Sequence, residues 1–137
     1  MIQLGSEEMT EKTYLLEGRA CPSSQIGASF EALAATIAAR RSAGEESYTR
    51  RLLEADLELV LSKLSEEAQE VVLAAREGEP DHLRYEVADL LYHLLVVLER
   101  FGIPLDEVAA ELNFRMTEGE RPAGAICLKP EYVKRGK

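Results

Sequence analysis

The sequence contains no tryptophan, and aromatic residues make up only 6% of it. Any core must therefore be built from aliphatic side chains and alanine, a composition typical of packed helices. Cysteine is equally scarce. Cys21 and Cys127 fit no metal-ligand spacing and are too few to cross-link a domain of 137 residues, so we predict that both are free thiols.

Long hydrophobic runs are absent as well. No apolar segment approaches the ~20 residues that a membrane span needs, and the N-terminus lacks the charged and then apolar pattern of a secretory signal. We therefore expect a cytoplasmic protein. The length of 137 residues suits one domain with a real core and is short for two.

Basic residues are outnumbered by acidic ones, 16 to 25, which gives a formal net charge of -9. This charge repels a phosphate backbone and argues against a nucleic-acid partner, whereas divalent cations would complement it. An acidic surface that only keeps the protein dissolved is the ordinary alternative. A nucleic-acid mimic is disfavoured because the acidic residues form no extended array.

Apolar residues recur at helical spacing in four segments, which predict an all-α bundle of four to five helices. The predicted helices cover residues 30–41, 48–77, 82–101 and 103–116. Ser29 is the expected N-cap of the first helix, and a kink is expected near Asp56 in the second. Gly78 and Gly102 are expected to end the second and third helices.

The third predicted helix is apolar around nearly its whole girth after Asp89. Such a helix must be covered on several sides, by other helices or by a second subunit, so we expect a dimer. The predicted domain occupies residues 30–116. Residues 1–29 form an N-terminal extension and residues 117–137 a C-terminal tail.

Two acidic motifs lie on either side of the turn between the second and third helices, and they read "EEAQE" and "EVAD". The acids that they supply are Glu66, Glu67, Glu70, Glu86 and Asp89. Acids at positions i and i+3 share one helix face. Because the connection "REGEPD" is short, the helices should form an antiparallel hairpin in which the two acidic faces converge.

Asp89 lies among aliphatic residues and would lose its hydration on folding, at a cost of several kcal/mol unless it is paired. Converging carboxylates must share protons or hold cations, and oxygen ligands in this number suit Mg2+ or Mn2+. A solvated acidic face is the alternative, with Lys63 paired to Glu66 or Glu67. His93 is expected to be a hydrogen-bonded interior or interface side chain, and a further metal ligand is the less favoured alternative.

At these residues the chain resembles the phosphoribosyl-ATP pyrophosphatases of histidine biosynthesis, within the all-α, MazG-like nucleotide pyrophosphohydrolases. The superfamily pattern E-E-x-x-E, followed by E-x-x-D, reads here "EEAQE" and "EVAD". The narrower likeness lies in "SYTRRLL", "SKLSEEAQEVVLAAREGE" and "YEVADLLYHLLVVLERFGIPLDEVAAEL". The chain departs from the family at Leu59, where lysine is common, at Ser65, where glycine is common, and before Ser47, where Asp-Pro is missing.

The resemblance implies a fold of the all-α NTP pyrophosphatase type in an intertwined dimer. It also implies Mg2+-dependent hydrolysis of phosphoribosyl-ATP to phosphoribosyl-AMP and pyrophosphate, the second step of histidine biosynthesis. In bifunctional relatives a cyclohydrolase domain precedes this one. Because 29 residues cannot hold such a domain, we expect a monofunctional chain.

Site residues follow from the same resemblance. The expected Mg2+ ligands are Glu67, Glu70, Glu86 and Asp89. Glu66 is the expected general base, which accepts a proton from the attacking water. The expected contacts to substrate are Lys63, Arg50, Arg51 and Tyr48.

Two other functions remain compatible with these motifs. A housecleaning pyrophosphatase for free nucleoside or deoxynucleoside triphosphates would share the fold, metal and chemistry and differ in substrate. A non-catalytic acidic helical dimer would instead grip a basic partner, bind no Mg2+ and release no pyrophosphate.

Overall fold

A computed structural model describes residues 25–42 and 44–132. Within these ranges all regular structure is helical, which confirms the all-α prediction. The helices are α1 (Gln25–Arg40), α2 (Tyr48–Glu54), α3 (Leu57–Glu77), α4 (Pro80–Arg100) and α5 (Leu105–Arg115), followed by two short 3-10 turns, Glu118–Glu120 and Pro130–Tyr132. None of the helices in the described ranges is long and apolar enough to cross a membrane.

The chain divides into two compact units, Met1–Phe30 and Glu31–Lys137. Of the first unit, only the opening turns of α1 lie among the described residues, so the predictions for Cys21 and for most of the N-terminal extension fall outside them. The second unit contains a hydrophobic core. Its buried cluster consists of Ile37, Leu52, Leu53, Val60, Leu95 and Val96. Cys127 is an exposed free thiol, as predicted.

The single helix predicted over residues 48–77 is in fact two helices. α2 ends at Glu54 and α3 begins at Leu57, with Ala55 in an extended conformation between them. The kink expected near Asp56 is therefore a complete break. Arg100 of α4 stabilises it, because its Nη1 donates hydrogen bonds to the carbonyl oxygens of Leu52 and Ala55.

Three predicted helix starts were also wrong. α5 begins at Leu105, two residues after the predicted start at 103. α1 begins at Gln25, so Ser29 lies inside the helix and does not cap it. α4 begins at Pro80, two residues before the predicted start. Proline suits the first helical position because its missing N–H has no partner there, and the Glu79 side chain accepts a hydrogen bond from the Asp81 amide at 3.1 Å.

The hairpin of α3 and α4 forms as predicted. Gly78 ends α3 with φ 76°, a left-handed conformation that glycine adopts without a Cβ clash. Its amide donates to the carbonyls of Ala74 and Ala75, each at 3.2 Å. The chain then reverses within two residues, and α4 packs along α3. This reversal sets "EEAQE" opposite "EVAD".

The described part of the C-terminal tail folds back onto α5. The Asn113 side-chain amide donates to the Ile126 carbonyl at 2.7 Å, and the Leu128 amide donates to the Ala110 carbonyl at 3.4 Å. Asn113 is itself buried, so its hydrogen bond offsets the cost of removing its amide from water. The segment up to Leu128 is therefore held against α5 by hydrogen bonds.

Candidate metal centre

Three carboxylates meet across the α3–α4 hairpin. Glu67 of α3 and Glu86 and Asp89 of α4 each present an oxygen within 4.8 Å of the others. Glu86 is buried, with 8% of its surface exposed, and the other two are half-buried. Oxygen ligands at these separations fit a hard divalent cation such as Mg2+ or Mn2+, which would balance their charge.

Glu86 also belongs to a second group, with Glu70 and His82, whose ligand atoms again lie within 4.8 Å of one another. His82 Nδ1 lies 2.9 Å from Glu77 Oε1, and its Nε2 lies 3.1 Å from Glu86 Oε2. The hydrogen bonds to Glu77 and Glu86 raise the pKa of His82. Glu70 therefore lies beside Glu86 but is not one of the three carboxylates of the first group.

His82 was not among the predicted site residues. It lies four residues before Glu86 and therefore shares its helix face, so this spacing could have indicated that His82 is near the acidic cluster. The contact with Glu77 runs across the turn, and only the fold reveals it.

Glu67 and Asp89 are close enough to share a proton. Burial of Glu67, its hydrogen bond with Asp89 and the negative charge of Asp89 all raise the pKa of Glu67 above its ordinary value of 4.5. Two carboxyl groups can form a hydrogen bond only if one of them is protonated. A bound cation would take over the role of that proton.

This shared proton predicts a pH-dependent stability. Because the folded chain binds the Glu67 proton more tightly than the unfolded chain, its contribution to the free energy of unfolding is present at low pH. It is lost as the pH rises through the raised pKa of Glu67. In urea unfolding with EDTA, from about pH 4 to about pH 8, wild-type stability relative to Glu67→Gln should fall as pH rises. Parallel curves would contradict the shared proton.

Glu66 lies on the solvent side of α3 beside the acidic cluster. Its Oε1 is 3.8 Å from Lys63 Nζ, and the two side chains are 63% and 40% exposed. This ion pair is the one expected for a solvated helix face. Glu66 also borders an open groove of about 440 Å³, whose lining residues are Ser62, Ser65, Glu66, Glu67, Gln69 and Glu70. The predicted base and two predicted metal ligands therefore border one groove.

The remaining predicted substrate contacts lie on α2. Arg50 Nε forms an ion pair with Glu54 Oε2 at 3.0 Å, and the Arg51 guanidinium lies 6.0 Å from the centre of the Tyr48 ring. Ser47 caps the helix by accepting a hydrogen bond from the Arg50 amide at 3.1 Å. The "SYT" motif therefore has a structural role at the start of α2.

His93 is an interior side chain, 2% exposed, as the simpler of its two predicted roles requires. Its Nδ1 lies 2.9 Å from the Asp89 carbonyl oxygen, and its Nε2 lies 3.3 Å from the Tyr48 hydroxyl. Both ring nitrogens thus have partners. The ring connects the start of α2 to the helix that carries Asp89.

Comparison with known proteins agrees with this geometry. The profile of the phosphoribosyl-ATP pyrophosphohydrolase family matches residues 30–116. A Bradyrhizobium diazoefficiens protein named phosphoribosyl-ATP pyrophosphatase 1 is 54% identical over 84 residues, which are 61% of this chain and 79% of the relative. A Methylobacterium nodulans phosphoribosyl-ATP pyrophosphatase is 53% identical over 86 residues, covering 63% and 80% of the two chains.

A longer relative aligns over part of its length. The histidine biosynthesis bifunctional protein HisIE of Halalkalibacterium halodurans is 47% identical over 90 residues, which are 66% of this chain and 42% of that protein. The family profile covers well over half of the present chain and includes the whole acidic hairpin. The protein therefore belongs to the phosphoribosyl-ATP pyrophosphohydrolase family, as its motifs predicted.

Proposed function

We propose that this protein hydrolyses phosphoribosyl-ATP to phosphoribosyl-AMP and pyrophosphate, the second step of histidine biosynthesis, with Mg2+ or Mn2+ held by the α3–α4 hairpin. The observation that carries this proposal is the convergence of Glu67, Glu86 and Asp89 within 4.8 Å in a chain of this family. Relatives about half identical to it bear the name phosphoribosyl-ATP pyrophosphatase. The cytoplasm stays the expected compartment.

The proposed metal ligands differ in burial and therefore in how firmly each is held. Glu86 is buried and its Oε2 is held 3.1 Å from His82, so it offers a fixed oxygen at the centre of the cluster. Glu67 and Asp89 complete one ligand set, and Glu70 adds a further carboxylate near Glu86. A bound divalent cation would neutralise triphosphate oxygens and orient and acidify the attacking water.

Glu66 is the proposed general base. It borders the same groove as Glu67 and Glu70 and is open to the solvent that supplies the attacking water. A base must lie within hydrogen-bond reach of the proton that it takes, and a long, exposed glutamate on the rim can adjust to that position. Lys63, its neighbour on α3, is the first candidate for a phosphate contact, followed by Arg50 and Arg51 of α2.

Substrate identity is tested by product analysis. The purified chain should release pyrophosphate and phosphoribosyl-AMP from phosphoribosyl-ATP in the presence of Mg2+ and should lose this activity in EDTA. We expect kcat/KM to exceed that for plain nucleoside triphosphates by about a hundredfold or more. Preference for plain triphosphates would instead identify a housecleaning pyrophosphatase, and no release from any nucleotide would support a non-catalytic acidic dimer.

We further propose that the protein works as a homodimer. Val87 and Leu94 lie seven residues apart on one face of α4, and Phe101 follows seven residues later, just beyond the end of the helix. Their exposed fractions are 37%, 39% and 59%. Exposed apolar side chains repeating at this spacing are typical of a surface that packs against a partner helix, and a second copy of the chain is the simplest partner. Light scattering should give twice the chain mass of 15.2 kDa, and a monomer mass would refute the proposal.

A further inference from the structure

His93 forms a two-ended connection inside the protein. One ring nitrogen, Nδ1, lies 2.9 Å from the backbone carbonyl oxygen of Asp89, and the other, Nε2, lies 3.3 Å from the Tyr48 hydroxyl. A carbonyl oxygen can only accept a hydrogen bond, so Nδ1 carries a proton and donates it. Asp89 and Tyr48 are therefore linked by two hydrogen bonds through one buried ring.

Tyr48 is held on its inner side and open on its outer side. Its ring stacks near Tyr92, with centroids 6.4 Å apart and an interplanar angle of 22°, and it meets the edge of His93 at 6.3 Å. Tyr92 is fixed in turn by a hydrogen bond between its hydroxyl and Thr49. Even so, 45% of the surface of Tyr48 remains exposed and is available to a ligand.

We propose that His93 is a positioning residue, which holds Tyr48 in register with Asp89 so that the exposed side of Tyr48 contacts the nucleotide substrate. The proposal rests on the proposed function. A side chain that is fixed before binding loses little conformational entropy when the ligand arrives, and this lowers KM. α2 has only seven residues, so packing along its own length gives Tyr48 limited support.

Two substitutions of His93 separate positioning from packing. Asparagine can place its amide near the Nδ1 position and keep the bond to the Asp89 carbonyl, but it is too short to reach Tyr48. Glutamine extends to the Nε2 position and can reach the Tyr48 hydroxyl. We expect His93→Asn to raise KM for phosphoribosyl-ATP by about 3- to 10-fold, the worth of one hydrogen bond. His93→Gln should retain a KM within about twofold of wild type.

The decisive experiment is a double-mutant cycle, in which KM is measured for wild type, His93→Asn, Tyr48→Phe and the double variant. If His93 acts through the Tyr48 hydroxyl, Tyr48→Phe should raise KM by a similar factor, and His93→Asn should add no further increase in that background. kcat should change by less than about twofold in all four proteins, since no reacting group is altered. Thermal unfolding of each variant establishes that it is folded.

The outcomes separate this proposal from the one on which it rests. A wild-type protein that fails to turn over phosphoribosyl-ATP refutes both. An active wild type with an unchanged KM in folded Tyr48→Phe refutes the positioning role alone. Equal increases from His93→Asn in both Tyr48 backgrounds refute it too, because the effect then bypasses the hydroxyl. If His93→Asn does not fold, the KM values of Tyr48→Phe and His93→Gln still decide whether His93 positions Tyr48.

Discussion

Replacing Asp89 with asparagine is expected to lower kcat/KM for phosphoribosyl-ATP by about a thousandfold or more, since a divalent cation supplies several kcal/mol of charge stabilisation. The asparagine amide keeps the size of the side chain and removes its negative charge. Mg2+-dependent pyrophosphate release, measured at saturating Mg2+ in wild type and variant, is the readout. Asp106→Asn on the exposed first turn of α5 is the matched control and should retain full activity.

The same variant should remain folded. Besides burial, the negative charge of Asp89 raises the pKa of Glu67, and an asparagine amide can donate a hydrogen bond to the Glu67 carboxylate without that charge. We therefore expect a melting temperature in EDTA equal to or above that of wild type. Full activity in Asp89→Asn would end the metal-site proposal. Loss of activity together with loss of folding would point to a structural role for Asp89.

Replacing Glu66 with glutamine is expected to lower kcat by about a hundredfold to a thousandfold, the usual contribution of a general base. The concentration of Mg2+ that gives half-maximal rate should change little, because Glu66 stands outside both groups of converging ligand atoms. Steady-state rates over a Mg2+ titration separate the two effects.

Glu58→Gln, on the exposed first turn of the same helix, controls for loss of negative charge on α3. If Glu66 serves only as the partner of Lys63, its substitution removes one exposed ion pair. That loss is worth about 0.3–0.5 kcal/mol of stability and leaves kcat unchanged. Such a result would exclude Glu66 as the base and leave the metal site untouched.

The hairpin was predictable because each of its determinants is local. Apolar periodicity marks both helices, Gly78 ends the first, and the spacing of the acids fixes the faces on which they lie. Once the chain reverses at Gly78, the two acidic faces must meet. The structure brings Glu67, Glu86 and Asp89 together in this way, within 4.8 Å.

The break between α2 and α3 was not predictable as a break. Neither proline nor glycine marks it, and the buried residues Leu53 and Val60 carry the apolar pattern straight through. Its stabilising partner is Arg100, which lies 45 residues beyond Ala55 in sequence and reaches it only in the folded chain. Long-range side-chain contacts of this kind leave no periodic signal.

The link from Asp89 through His93 to Tyr48 was hidden for the same reason. Sequence placed His93 on the face of Asp89 but gave no indication that Tyr48 would cover it. The contact exists because α2 packs against α4, an arrangement set by the core cluster around Leu52 and Val96.

The most direct test of the central claim is to locate a bound Mn2+ ion by its anomalous scattering in crystals of the protein grown with that ion. We expect an anomalous peak within about 2.6 Å of carboxylate oxygens from Glu67, Glu86 and Asp89. Mn2+ bound only elsewhere, or these three side chains turned apart into solvent with no ion between them, would contradict it.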